Sequence, residues 1–128
     1  MIAVDTNVLV RYIVGDDTAQ SRRARDFLET ELTPERQGLV TAVALVELVW
    51  ALERRYAATS ATITTVVEQL LNAQTLVVEH ADAVERALRH AHGNFADRLI
   101  HEVGRSEGCE KTVTFDKRFA RLAGVELL

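Results

Sequence analysis

The sequence predicts an α/β fold with a central, mostly parallel sheet of four to five strands flanked by helices. Short apolar runs alternate with longer segments in which apolar residues recur every three or four positions. Several of these runs stop at a polar residue that can cap a following helix. The chain has 128 residues, 48% of them hydrophobic, which suits a single domain over residues 1–128.

The first strand and helix set the pattern for the rest of the chain. Residues 2–4 are apolar without alternation, as in a strand covered on both faces. Asp5 follows and can cap a helix that ends at Gly15. Ligands of parallel sheets bind at the carboxyl ends of the strands, so Asp5 is the first candidate site residue.

The later elements alternate in the same way. Helices are predicted where a polar residue precedes an apolar stripe, namely after residues 16–18, from 42, after the cap Ser60, from Asp82 and from Phe95. A short helix that contains Phe119 and Leu122 is predicted after residues 115–117. Strands are predicted at residues 39–40, 76–78, 112–114 and, at an edge, 125–127. In the helix from Asp82, the inward residues are expected to be Val84, Leu88 and Ala91.

Composition limits the possible partners and setting. A net charge of -4 gives no long-range attraction for a polyanion, so a nucleic-acid partner needs local basic residues or a bound cation. Cys109 is the only cysteine, which excludes an intrachain disulfide and favours a reducing, cytoplasmic setting. The apolar stretches are too short for a membrane span, so no membrane partner is expected.

Glu47 stands out in its helix. It is the only residue from 42 to 52 that is not apolar, so this helix is expected to be buried nearly all round, in the core or at a subunit contact. A buried carboxylate is costly unless a cation or several donors compensate for it. Glu47 is therefore a candidate site residue, with pairing to Arg54 or Arg55 as the structural alternative.

Two further acids follow or open predicted elements. Asp116 closely follows the strand at residues 112–114, so it and Asp5 project from one sheet edge if their strands are neighbours. Asp97 lies in the first turn of its helix. Each aspartate alone has an ordinary alternative, as a helix cap or turn residue.

Clustered carboxylates repel each other and raise each other's pKa values, and a divalent cation relieves that repulsion. Mg²⁺ and Mn²⁺ prefer oxygen ligands, and one or two carboxylates can hold Mg²⁺ while a substrate phosphate completes its shell. A metal held in this way can orient and deprotonate a water molecule for attack on a phosphodiester.

The same residues resemble the PIN-domain ribonucleases, especially the VapC toxins of bacterial toxin-antitoxin pairs. The segments that carry the resemblance are residues 4–9, 46–48, 95–100 and 114–119, which span nearly the whole chain. The resemblance implies a PIN-like three-layer fold. It implies an acidic active site of Asp5, Glu47, Asp97 and Asp116, with Asp5, Asp97 and Asp116 as metal ligands and Thr114 as a hydrogen-bonding support.

The resemblance also implies an activity and partners. These are Mg²⁺-dependent endonucleolytic cleavage of RNA, with Mn²⁺ as a substitute, a homodimer, and neutralisation by a cognate VapB-like antitoxin. Arg98 departs from the family, whose members often have a small residue after the equivalent of Asp97. It is interpreted as a solvated charge rather than a phosphate contact, for which Arg11 and Lys117 are better placed in the sequence.

Two other functions are open at this point. An apolar strand ending in an aspartate also begins the haloacid-dehalogenase-like phosphatases, although Asn7 replaces their second acid. A catalytically silent binding module is the other alternative.

The histidines lack zinc-site spacing and are interpreted as surface or local hydrogen-bonding groups: His80, His90, His92 and His101. The Trp50 helix and the apolar stripe at residues 63–71 indicate a dimer face.

Overall fold

The computed structural model describes residues 1–90 and 92–128, and these divide into two units, Met1–Glu79 and His80–Leu128. The expected inward position of Ala91 lies outside the described residues. None of the described helices combines the length and the apolar character that crossing a membrane requires.

The first unit is a parallel three-stranded sheet with helices. Its strands are hydrogen-bonded in the order β1 (Ile2–Ala3), β2 (Gly38–Val40) and β3 (Leu76–Val78). Its helices are α1 (Thr6–Val14), α2 (Ala19–Asp26), α3 (Ala42–Tyr56) and α4 (Ser60–Asn72). A π-helical turn at Phe27–Glu31 follows α2. The register pairs Ile2 with Gly38 and Gly38 with Leu76.

Side-chain caps explain where these helices begin. Asp5, Thr18 and Thr41 each accept a hydrogen bond from a backbone N–H in the first turn of α1, α2 and α3. The predicted cap of α4 is wrong by one position. Thr59, rather than Ser60, accepts from the backbone N–H of Thr62, because the hydroxyl that precedes the first helical residue reaches that donor.

The core of the first unit lies between the sheet and the helices. Its fully enclosed side chains include Leu9, Val40, Leu45, Leu48 and Val67. Gly38 is required at the centre, because a Cβ there would lie 2.9 Å from side-chain carbons of both Leu32 and Val4.

The expectation that α3 is buried nearly all round in the core is wrong, while its alternative, a subunit contact, stays a prediction. Leu45, Leu48, Val49 and Leu52 are buried, whereas Val43 is 69% and Trp50 42% exposed, and Glu47 is also exposed. The exposed positions recur at helical spacing on one side. The apolar segment at residues 42–52, interrupted only by Glu47, therefore forms a helix with one solvent-facing side.

The second unit pairs two helices and a short sheet. It contains α5 (Ala81–Arg89), α6 (Phe95–Ser106), β4 (Thr112–Thr114) and β5 (Val125–Leu127), with a 3-10 turn at Phe119–Arg121. Strands β4 and β5 are parallel, with Thr112 opposite Val125. Phe119, Leu122 and Val125 form a small buried cluster.

All five predicted strands form, and every strand pairing among the described residues is parallel. The predicted α/β class is therefore confirmed. The hydrogen bonds form a three-stranded sheet in the first unit and a two-stranded sheet in the second. The single domain over residues 1–128 stays a prediction.

Candidate active site

Two of the predicted carboxylates line one cavity in the first unit. The cavity has a volume of about 290 Å³, and Asp5 and Glu47 both contribute to its wall. Thr6, Trp50, Arg54 and Arg55 are among the other lining residues. The structure thus brings together two acids that are 42 positions apart in the sequence.

Asp5 reaches this cavity from the start of α1. It is the N-cap residue, in extended conformation, and its Oδ2 accepts a long hydrogen bond of 3.4 Å from the backbone N–H of Asn7. The side chain is exposed. The capping role and the position at the strand's carboxyl end are therefore combined in one residue.

Glu47 is held differently from what the sequence predicts. Burial was expected, but the residue is exposed, so the argument from the cost of burying its charge is wrong. Its Oε2 accepts a 2.9 Å hydrogen bond from Oγ1 of Thr6, which is 8% exposed. Within the described residues no arginine pairs with Glu47. A buried hydroxyl of α1 thus orients a carboxylate of α3.

Asp97 lies in the first turn of α6, as predicted. Oδ1 of the N-cap Asn94 accepts a 2.9 Å hydrogen bond from the backbone N–H of Asp97. Gly93, at φ +78°, leaves space next to it, because a Cβ at Gly93 would lie 3.5 Å from Cβ of Asp97 and 3.2 Å from Cδ2 of Phe119.

Asp116 and Thr114 are linked through the backbone. Oδ1 of Asp116 accepts hydrogen bonds from the backbone N–H of Arg118, at 2.8 Å, and of Phe119, at 3.1 Å. Oγ1 of Thr114 accepts a 3.0 Å hydrogen bond from the backbone N–H of Asp116. Thr114 therefore positions the turn that carries Asp116.

The donor chemistry of these acids fits a hard divalent cation. Asp5, Asp97 and Asp116 each keep a carboxylate oxygen that accepts no hydrogen bond from the described residues. Mg²⁺ prefers such oxygen ligands. Across residues 1–90 and 92–128, no group of three or more His, Cys, Asp or Glu is arranged to hold a metal ion. One metal shared by these three aspartates stays a prediction.

Two arginines near these acids in sequence, Arg98 and Arg11, are already engaged. Nη1 of Arg98 donates a 2.6 Å hydrogen bond to the backbone carbonyl of His90, and the residue is partly buried. Its interpretation as a solvated charge is therefore wrong. Arg11 forms an ion pair with Asp16 at 3.1 Å.

Sequence reasoning missed a buried carboxylate in the second unit. Glu102 is 0% exposed, and its oxygens lie 2.6 Å from Nε of Arg86, 2.6 Å from Nε2 of His90 and 3.1 Å from Nη1 of Arg105. Burial alone would raise the pKa of this carboxyl, but the hydrogen bonds from Arg86, His90 and Arg105 outweigh it and lower the pKa to about 2.

A signal for this cluster was present in the sequence. Glu102 follows Phe95 by seven positions and Leu99 by three, which places it on the apolar face of α6. The neighbouring His101 is 3% exposed and its Nδ1 lies 2.9 Å from Oγ1 of Thr112, while burial lowers its pKa. His90 and His101 are thus local hydrogen-bonding groups, one of the two predicted possibilities.

Comparison with known proteins bears on the fold and the family. The PIN domain model matches residues 2–125. A search of curated proteins gave no match. Among solved structures, the chain is similar to the Sarcin-Ricin loop cleaving toxin VapC20 of Mycobacterium tuberculosis, with 23% identity, 98% of each chain covered and a TM-score of 0.48.

The family match removes the haloacid-dehalogenase-like alternative, since it spans nearly the whole chain in one alignment. It agrees with the four acidic segments that first suggested a resemblance. On this evidence, the chain belongs to the PIN domain family, a family of nucleases.

Proposed function

We propose that this protein is a Mg²⁺-dependent endoribonuclease and the toxin component of a VapBC-type toxin-antitoxin system. One observation carries the proposal: in a chain that belongs to the PIN domain family, Asp5 and Glu47 line the same solvent-accessible cavity. Exposed carboxylates with unused oxygens suit a reaction on a substrate better than a structural role.

The residues assigned to the reaction are Asp5, Glu47, Asp97, Asp116 and Thr114. Asp5, Asp97 and Asp116 would hold the cation, with Mn²⁺ as a substitute for Mg²⁺. A cation bound there would lower the pKa of a water molecule and would neutralise the charge that develops on the phosphodiester. Asp97 and Asp116 belong to the second unit, and their assignment rests on the family resemblance.

Glu47 is suited to take a proton from the attacking water. Its Oε2 accepts the hydrogen bond from Thr6, while its Oε1 accepts none from the described residues. A carboxylate that is oriented on one side and open on the other can act as a general base. In this scheme Thr6 is a positioning residue that acts through Glu47.

The proposed partners are an RNA substrate, a VapB-like antitoxin and a second copy of the chain. The exposed apolar side chains of Ile100, Val113 and Phe115 support a protein partner, since Phe115 alone is 79% exposed. The apolar stripe at residues 63–71, which was expected to form a dimer face, does not support a partner. Its side chains Ile63, Val66, Val67 and Leu70 are buried within the chain.

The decisive experiment is RNA cleavage by the purified protein. We expect cleavage of a single-stranded or loop RNA in Mg²⁺ or Mn²⁺, and no cleavage in EDTA or by Asp5→Asn. Asp26→Asn is the matched control, since Asp26 is also exposed in the first unit but does not line the cavity. Cleavage by Asp5→Asn at the wild-type rate would contradict the role of Asp5, and no cleavage with either metal would favour a silent binding module.

Metal binding by Asp97 can be tested without activity. Melting curves with and without Mn²⁺ should show that wild-type protein is stabilised by the ion, because a ligand that binds only the folded state raises its stability. Asp97→Asn should lose this response while melting at or above the wild-type temperature without metal, since one source of carboxylate repulsion is removed. An unchanged response to Mn²⁺ would exclude Asp97 as a ligand.

A further inference from the structure

Trp50 is exposed at the cavity that contains Asp5 and Glu47. It lies on the outer side of α3, it is 42% exposed, and it lines the cavity together with those two acids. A large aromatic side chain is normally buried to a greater extent, because it has much apolar area to remove from water. Its exposure here indicates a surface that a ligand covers.

Two arginine side chains line the same cavity as the Trp50 ring. The Cζ atom of Arg54 lies 5.4 Å from the ring centroid of Trp50, in a cation-π arrangement, and Arg55 lines the same cavity. Neither arginine has a carboxylate partner within the described part of the chain, whereas Arg11, Arg22 and Arg23 all do. Two positive charges therefore remain available at the cavity.

We infer that Trp50, Arg54 and Arg55 bind one unpaired nucleotide of a single-stranded RNA, next to Asp5 and Glu47. The inference rests on the proposed function and adds to it the residues that hold the substrate. A base stacks on the Trp50 ring, because every base has a π face and stacking of this kind tolerates any sequence. The adjacent phosphate is bound by the guanidinium groups.

The charge distribution of the cavity supports this occupant. Acidic oxygens of Asp5 and Glu47 alone would repel a phosphate, and the chain as a whole carries a net charge of -4. Arg54 and Arg55 supply local positive charge in the last turn of α3, on the same cavity as the acids. An apolar protein partner would leave both charges without a counter-ion.

Fluorescence titration provides a direct test, because Trp50 is the only tryptophan of the chain. A single-stranded RNA of about ten nucleotides, added in EDTA to prevent cleavage, should quench the Trp50 emission. The same RNA annealed to its complement should quench it much less, since paired bases are not free to stack. No quenching by the single strand would overturn the inference.

Substitutions test which groups bind the RNA. Trp50→Ala should weaken binding about tenfold, as followed by fluorescence anisotropy of a labelled RNA, and Trp50→Phe should retain most of the affinity because it keeps a ring. Tyr56→Ala is the matched control, since Tyr56 is 43% exposed on the same helix but does not line the cavity. Equal weakening by Trp50→Ala and Tyr56→Ala would contradict a specific stacking site.

Salt dependence tests the arginines. Arg54→Ala and Arg55→Ala should each lower the slope of log affinity against log salt concentration by about 0.7 for every lost phosphate contact. Arg25→Ala serves as the control, since Arg25 is exposed in the same unit but outside the cavity. An unchanged slope in both cavity variants would remove the arginines from the inference.

Failure of the inference can be distinguished from failure of the proposed function. If the wild-type protein cleaves RNA and Trp50→Ala binds RNA as tightly as wild type, the inference is wrong and the activity stands. If no RNA is cleaved but Trp50→Ala loses affinity, the binding site stands without the activity. If Trp50→Ala instead dissociates a dimer in sedimentation and leaves RNA affinity unchanged, the surface is a subunit contact and the inference is wrong.

Discussion

Glu47 on α3 and Glu102 on α6 are used in opposite ways. Glu47 is surrounded in sequence by apolar residues, yet it is exposed and accepts one hydrogen bond, from Thr6. Glu102 lies in a mixed stretch, between His101 and Val103, yet it is 0% exposed and contacts the basic side chains of Arg86, His90 and Arg105. The apolar neighbours of Glu47 thus indicated the wrong burial for it, and the mixed neighbours of Glu102 did not indicate burial.

The difference teaches that the position around the helix axis decides burial. Glu47 shares the outer side of α3 with Val43 and Trp50, whereas Glu102 shares the inner side of α6 with Leu99. A carboxylate whose oxygens are taken by basic side chains has little capacity for a substrate or cation. Glu102 is therefore a structural residue, whereas Glu47 keeps an oxygen open for the proposed reaction.

The sharpest test of this comparison is removal of Glu102. Glu102→Ala leaves two guanidinium groups without their buried partner, so it should lower the free energy of unfolding by about 3–5 kcal/mol. Urea denaturation measures this. Glu102→Met, which fills the space without a charge, should recover part of the loss; if Glu102→Ala costs less than about 1 kcal/mol, the structural role assigned to this residue is wrong.

Acid should weaken the same cluster. The pKa of Glu102 in the folded protein, about 2, lies below its ordinary value of 4.5, so the carboxylate's contribution is complete above pH 4.5 and is lost as the pH falls toward 2. The loss should be up to about 3 kcal/mol. Urea denaturation of wild type and Glu102→Gln across this range isolates the effect, and parallel pH profiles of the two proteins would contradict it.

The partners of Glu102 should differ in importance. Arg86→Met should cost about 2 kcal/mol, because Arg86 makes a 2.6 Å charged hydrogen bond to Glu102 and a 2.7 Å hydrogen bond to Ser106. Arg105→Met should cost less than about 1 kcal/mol, because the Arg105 side chain is 56% exposed and its contact is 3.1 Å long. Thermal melting of both variants checks which one loses more stability, and a larger loss for Arg105→Met than for Arg86→Met would contradict this expectation.

The smallest effect on stability is expected at Glu47. Glu47→Gln keeps an oxygen that accepts from Thr6, so the free energy of unfolding should change by less than about 0.5 kcal/mol. RNA cleavage should nevertheless be lost if Glu47 is the general base. Glu53→Gln, an exposed change on the same helix, should leave both properties unaltered. A large loss of stability in Glu47→Gln would show that Glu47, like Glu102, has a structural role, and would contradict the comparison.

Local patterns predicted most of the fold. Asp5, Thr18 and Thr41 were expected to precede helices, and each caps one, because a capping side chain bonds to backbone atoms only two or three positions away. Strands at residues 76–78 and 112–114 were predicted to the residue. The short helix predicted after residues 115–117 forms as a 3-10 turn at Phe119–Arg121 and ends one residue before Leu122. The π-helical turn after α2 was not predicted, since it has no distinct sequence period.

The candidate site was predicted only in part. The aspartates were identifiable because each follows a strand or opens a helix, and Glu47 because it is the one acid in an apolar stretch of helix. Asp5 and Glu47 do line one cavity, although the expected burial of Glu47 was wrong. The support of Glu47 by Thr6 was not predictable, because it joins residues 41 positions apart on two different helices. That Trp50 and Arg54 share a cavity with Asp5 was not predictable either, because Asp5 lies more than 40 positions away at the start of another helix.

The sequence by itself determined the helix starts, the parallel α/β class and the family, because these follow from short-range hydrogen bonding, from periodicity and from motifs read along the chain. Only the tertiary structure decided which glutamate is buried and which is exposed. Burial depends on what packs against each side of a helix, and the residues that do so, such as Arg86 against Glu102, are distant in the chain. Which residues contact each side of a helix is therefore decided only when the whole unit packs.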